Sequence, residues 1–325
     1  MRGPARCAAL ARCAAELARC RMAREIVCER SVADVAPRTV TEAYDVQRRL
    51  HASIGEIAAR KVIGSKVGCT TEVMQEYLGI PHPCAGGIYD GALWATQQSH
   101  NHGLDVPYLP HRIERSTWAA RLGVECEIAV RLSSPLGPGP VTFEEAASAV
   151  GSVHVAVELV EARYEDFERH KPGPLCLLAD DFFHAGSVLG PPIHVYGSAH
   201  MSGADAGTPF DPRWAHLLQG TMSVDGNVVG TGSGTDIIRG HPLEALVWLA
   251  SSVDAAPEGL PPGWIVSLGS VCRTHWLQPS ESQVRVAFSL PQRRVTDLTW
   301  GEYREGVDVN DGRIVSGGRV AVDFV

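Results

Sequence analysis

Two glutamates stand one residue apart in the apolar run "GVECEIAV" (123–130), at Glu125 and Glu127. In a β-strand, residues i and i+2 leave the same face. The two carboxylates would then stand side by side, with Val124, Cys126 and Ile128 packing on the other face. Paired carboxylates on a half-buried face repel one another and are costly to desolvate. A raised pKa, basic partners or a shared cation relieves that cost. A solvated E-x-E needs no such remedy, and alternation alone does not separate the two cases. A further acid, Glu158, interrupts the strand-like run "VHVAVELVEARY" (153–164). Three carboxylates from two strands suit Mg²⁺ or Mn²⁺, with positions left for water and a chelating substrate. Such a centre favours Lewis-acid chemistry on an oxo-acid. Glu161 falls near the expected strand end and reads as solvated. Lys66 lies in "VIGSKVG" (62–68), an apolar, glycine-flanked strand where lysine is disfavoured. Either it snorkels to the surface, or it faces the carboxylates, where it could bind a substrate carboxylate or transfer protons.

The elements that must position these groups follow from pattern. Residues 1–60 read mainly as helix, with Thr41 as the expected N-cap of a segment burying Tyr44, Val46, Leu50 and Ile54. From residue 61 the texture changes to short β-like segments: 61–68, 124–132, 153–160, 220–230, 264–271 and 282–290. Asp225-Gly226 between apolar flanks signals a hairpin. Helices are expected at 143–150, capped by Thr142, and at 241–251, with Pro242 in the first turn. The stretches 191–213 and 291–317 read as surface excursions. The expected class is α+β: a helical N-terminal region, 1–60, and a β-rich catalytic body, 61–325.

Composition narrows the partners. A net charge of −8 over 325 residues argues against nucleic acid and anionic membranes, but not against a small acidic substrate. No apolar run approaches the roughly 18 residues that span a bilayer. Nine cysteines lack zinc-finger spacing and read as reduced thiols of a cytoplasmic protein. The Ala- and Arg-rich N-terminus raises the question of a transit peptide. It holds no Ser or Thr in its first 20 residues, and Leu10, Cys13, Leu17 and Cys20 fall at helical spacing, which favours a plain amphipathic helix. The glycines of "VVGTGSGTDIIRG" (228–240) miss the dinucleotide fingerprint. "HNH" (100–102) with His111 reads as solvated histidine in a polar loop.

In chain order, "AYDVQ" (43–47), "GSKVGCTTEVMQEYLGI" (64–80), "VECEIAV" (124–130), "VELVEARYEDF" (157–167), "LADD" (178–181), "GHPLEALVWLA" (240–250) and "GWIVSLGS" (263–270) resemble one family. It is the hydratase/decarboxylase branch of the fumarylacetoacetate hydrolase superfamily, whose members include 2-oxopent-4-enoate hydratases and 4-oxalocrotonate decarboxylases. The resemblance implies a mixed β-sheet roll with a helical N-terminal region, assembled as a homo-oligomer. It implies Mg²⁺ (or Mn²⁺) at Glu125, Glu127 and Glu158, catalytic roles for Lys66 and Asp90, and a substrate pocket near Asp180, His184 and Ser270. The implied activity is a lyase that adds water to a 2-hydroxy-2,4-dienoate or 2-oxo-4-enoate. Decarboxylation of a 2-oxo-3-enedioate, acylpyruvate C–C hydrolysis and a non-catalytic scaffold are the alternatives. Acylpyruvate hydrolases usually carry Asp where this chain has Glu158. The chain departs from the family at Gly91 in "YDGAL", at Asp181, Phe182, Phe183 and His184 in "ADDFFH", and at Leu268 in "SLGS". Phe182 and Phe183 could line a larger apolar substrate or sit in the core.

Overall fold

The stripe Leu10, Cys13, Leu17 and Cys20 is wholly buried on one face of the first helix, Pro4–Ala23. A leucine buried this completely contributes about 1.5–3 kcal/mol, so the docked helix belongs to the fold's core. A short turn of helix, Glu29–Val32, leads to a second long helix, Val40–Ala58, which buries Tyr44, Val46, Leu50 and Ile54 as expected. Its N-cap is Thr39, whose hydroxyl accepts from the Glu42 N–H, not Thr41. Thr41 is already helical, and its hydroxyl lies 3.3 Å from Asp254. The computed structural model describes residues 3–95, 110–118, 120–165, 173–196, 208–290, 314–316 and 319–325. The histidines of 100–102 and most of the excursions at 191–213 and 291–317 lie outside them.

The body is built on mixed sheets. The largest runs in the order Cys84–Tyr89, Val62–Gly68, Ile265–Ser270, Arg121–Leu132, Val150–Ala162, His184–Pro192, Leu93–Ala95, with His275–Trp276 paired to one end of Arg121–Leu132. Its pairs are antiparallel except Val62–Gly68 with Ile265–Ser270 and Leu93–Ala95 with His184–Pro192. A second sheet joins Asn227–Ser233, Gln219–Val224, Gln283–Ser289, Arg319–Phe324 and His111–Ile113. The expected hairpin at Asp225-Gly226 is present, with both residues at positive φ. Thr142 caps the helix Phe143–Ala149 in a reciprocal box with Glu145, and Pro242 opens the helix Pro242–Ser251.

The N-terminal helices and the body share one apolar core. Polar ties reinforce the contact: the Gln47 amide donates to the carbonyls of Ala85 and Leu178, each at 2.8 Å. Among the described residues no helix is long and apolar enough to cross a membrane. All nine cysteines are free thiols.

Candidate metal centre and active site

Register decides which acids meet. Strand Arg121–Leu132 pairs antiparallel with Val150–Ala162 so that Glu125 lies directly opposite Glu158, and Glu127 opposite Ala156. Directly opposite residues share a face, and Glu125 and Glu127 share one by alternation. The three carboxylates therefore converge, each offering an oxygen within 4.8 Å of the others. On the opposite face Val124, Cys126 and Ile128 are fully buried. Lys66 joins the same face through a relay of pairs, Lys66 with Ser267 and Ser267 with Ala129. Its ammonium, 3% exposed, is 3.2 Å from Glu158 Oε1.

Each carboxylate has its own support. Glu127 Oε2 accepts from the Ser267 hydroxyl at 2.9 Å and from the Gly269 N–H at 2.8 Å. That second donor depends on a bulge between Ser267 and Ser270, where Gly269 takes φ +112° and a Cβ would meet the Thr70 side chain at 2.8 Å. Glu125 accepts a hydrogen bond from the Thr274 hydroxyl. Glu158 Oε1 is held by Lys66 and by His184 Nδ1 at 2.9 Å.

The electrostatics are those of a site short of positive charge. Three carboxylates face one ammonium, so full ionisation leaves two negative charges uncompensated. Burial, with Glu158 nearby, pushes the Glu125 carboxyl up to about 7 against the pull of Lys66 and Thr274. Burial and both neighbouring glutamates push Glu127 well above the usual carboxylate range. Glu158 goes the other way: burial would raise it, but Lys66 and His184 hold it below its ordinary value. Burial would lower the Lys66 ammonium, but the surrounding glutamates raise it, so it stays charged. An all-oxygen donor set with excess negative charge fits a hard divalent cation.

The family profile described as fumarylacetoacetate (FAA) hydrolase C-terminal matches residues 93–296, more than half of the chain and including all three glutamates. The chain belongs to the fumarylacetoacetate hydrolase family. Within and around that family it is similar to 2-keto-4-pentenoate hydratase of Paraburkholderia xenovorans, 28% identical over 232 residues covering 71% of each chain. A 4-oxalocrotonate decarboxylase of a Pseudomonas species is 29% identical over 75% of this chain and 81% of its own. The fold matches a solved 4-oxalocrotonate decarboxylase of Pseudomonas putida G7, complexed with magnesium and adipate, with TM-score 0.72 over 97% of both chains at 19% identity. The mixed sheet roll with N-terminal helices is therefore the family's fold.

The remaining expected site residues of this fumarylacetoacetate hydrolase family member fall in different places. His184 reaches the cluster through Glu158. Asp90 does not. It is exposed beyond the end of Cys84–Tyr89, where its carboxylate accepts from the Lys61 N–H at 3.2 Å. Lys61 precedes Lys66 by five residues, which places Asp90 roughly 15 Å along the ladder from Lys66. Asp180, fully buried, is occupied by Arg21, Arg163 and the Tyr164 hydroxyl. The Ser270 hydroxyl is spent on backbone: it accepts from Cys126 N–H at 3.1 Å and lies 2.8 Å from the Cys272 carbonyl. Glu161 is buried rather than solvated, because the strand continues to Ala162 and its carboxylate accepts from the Ala120 N–H. Leu268, the apparent loss of a hydroxyl, is a core side chain, and its neighbour Ser267 supplies the donor to Glu127.

Pattern reading missed Ser267, Gly269 and Thr274. Its only available signal was that Ser267 alternates with Leu268 in a strand. It also missed the buried network at Asp181. That carboxylate accepts from Gly87 N–H at 2.8 Å and contacts His51 at 2.6 Å, Arg21 at 2.9 Å and the Tyr89 hydroxyl at 3.3 Å. Burial would raise its pKa, but His51, Arg21 and the Gly87 N–H hold it far below the usual range.

Proposed function

We propose that this protein is a metal-dependent lyase that adds water to a 2-hydroxy-2,4-dienoate or its 2-oxo-4-enoate tautomer. One observation carries the reading: the triangle of Glu125, Glu127 and Glu158, with Lys66 paired to Glu158, on one sheet face. The oxygen-only donor set favours Mg²⁺ or Mn²⁺. When bound, the ion supplies a Lewis acid to the substrate's C1 carboxylate and O2 and stabilises negative charge developing on O2.

The protein's own groups do the rest. Glu158 is kept ionised by Lys66 and His184, while Glu125 and Glu127 release the protons that burial lets them hold. Lys66 offers a desolvated ammonium to the substrate carboxylate, orients the acid, and moves protons as the dienol ketonises. Water then adds at C4 of the enone. Asp90 takes no direct part with Lys66 in this scheme. The reading extends to a homo-oligomer in a reducing cytoplasm, which nine free thiols fit.

The experiment is turnover of 2-hydroxypenta-2,4-dienoate with Mg²⁺, followed by loss of dienoate absorbance and identification of the hydroxylated product. Turnover that survives both chelation and Glu125→Ala would refute the metal mechanism. A second reading, decarboxylation of a 2-oxo-3-enedioate, is favoured by the 29% identity to a 4-oxalocrotonate decarboxylase over most of both chains. It uses the same charge sink with CO₂ leaving, and CO₂ release from the diacid distinguishes it.

A further inference from the structure

Between the helix Pro174–Ala179 and the strand His184–Pro192 the chain turns through three consecutive non-glycine residues in the left-handed region: Asp181, Phe182 and Phe183, with φ of +58°, +48° and +66°. L side chains disfavour this region, and such a run persists only where the surroundings over-determine it. Here they do. Asp181 is gripped by the Gly87 N–H and Tyr89 of the neighbouring strand and by Arg21 and His51 of the two long N-terminal helices. Its carbonyl also packs on Gly86, where a Cβ would lie 2.3 Å from the oxygen.

The corner delivers the Phe182 ring to the active-site lysine. Lys66 Nζ sits 4.8 Å from the ring centroid, over its face. The ring's edge fills the space beside Gly68, where a Cβ would meet Phe182 Cδ1 at 2.8 Å, so the approach depends on glycine there. Phe182 is 4% exposed and packs edge-on against Phe183, which in turn packs on Tyr164. Glu158 thus holds the buried ammonium on one side and an aromatic face covers it on another. A desolvated ammonium over a ring face is attracted by the ring's quadrupole.

We infer that Phe182 is a positioning residue: its π face holds the Lys66 ammonium beside Glu158 for the substrate carboxylate. The Asp181 clamp, through Arg21 and His51, makes that placement depend on the N-terminal helices, which precede the matched family segment. This rests on the lyase reading above for its kinetic consequence, but its geometry stands apart from it.

The test replaces Phe182 with 4-fluoro-, 3,5-difluoro- and pentafluorophenylalanine, which keep nearly the same bulk while draining the ring face of negative potential. On the dienoate, kcat is expected to fall stepwise, by roughly tenfold across the series, with KM changing much less. Phe182→Tyr retains activity, and Phe182→Leu matches the pentafluoro protein. Activity indifferent to fluorination, with Phe182→Leu losing it only in proportion to thermal stability, would overturn the inference and leave a core residue. A second readout needs no substrate. The sequence has three lysines, Lys61, Lys66 and Lys171, so ¹³Cε-lysine labelling yields a spectrum assignable with Lys66→Arg. The Lys66 ε-methylene protons are expected upfield from the ring current, and this shift disappears in Phe182→Leu. An upfield signal without dienoate turnover would sustain the placement and reject the activity; an unshifted signal would reject the placement itself.

Discussion

Removing the metal should make the fold's stability fall as pH rises, and adding Mg²⁺ should cancel that fall. The Glu125 carboxyl has a folded-state pKa of about 7, against an ordinary value of 4.5. A group whose pKa is raised on folding favours the folded state fully below its unfolded value and loses that contribution as pH climbs through the folded one. The window is therefore pH 4.5 to about 7. At 1.36 kcal/mol per pKa unit, the shift corresponds to an upper bound of about 3 kcal/mol from Glu125 alone. Glu127, also raised, adds in the same direction. Glu158 opposes only at the acid end, because its depressed pKa gives stability that is lost as pH falls through the folded value. The assay is urea unfolding of chelator-treated protein at pH 5 and pH 8, repeated in saturating Mg²⁺. Between the two pH values the metal-free protein should lose about 2–3 kcal/mol through Glu125, and more through Glu127. Mg²⁺ should restore that loss at pH 8 and do little at pH 5, where protons compete for the same oxygens. Equal stability at both pH values without metal, or an equal Mg²⁺ effect at both, would refute the account of the cluster.

Glu127→Gln removes a buried charge while keeping an acceptor for Ser267 and Gly269. Metal-free stability at pH 8 should rise and the Mg²⁺-induced increase in Tm should vanish. Lys66→Met leaves Glu158 buried without its cation; metal-free unfolding should be about 3–5 kcal/mol easier and kcat lower by roughly 10²–10⁴. Ser270→Ala removes a hydroxyl that serves the Cys126 and Cys272 backbone, so it should cost about 1 kcal/mol of stability and change kcat little; a large loss of kcat at intact stability would place Ser270 against substrate instead. Arg21→Leu takes the guanidinium from Asp180 and Asp181, and hydrogen exchange should report lost protection along Pro4–Ala23.

Much of the carboxylate cluster was legible because strand alternation is strict. Once "VECEIAV" is a strand, Glu125 and Glu127 share a face and Cys126 opposes them, whatever surrounds the sheet. The amphipathic stripe of Pro4–Ala23 was legible for the same reason at the helical period. Cap choice was not: Thr39 and Thr41 are equally good capping residues, and the contact of Thr41 with Asp254, 213 positions away, is invisible locally. Glu161 was misjudged because strand ends are set by the partner strand, here by a donor at Ala120.

Residue types and strand alternation set the chemical groups and their local direction: three carboxylates and a lysine, each within a strand that projects its side chain to one side. Register and corner geometry come from long-range packing instead. A ladder shifted by one residue would send Glu158 to the opposite face from Glu125. The parallel pairing through Ser267 brings Lys66 into the cluster, and the ladder spacing leaves Asp90 out of it. Three left-handed residues that no propensity favours aim Phe182 at Lys66 because contacts from distant helices and a neighbouring strand outweigh the local backbone preference.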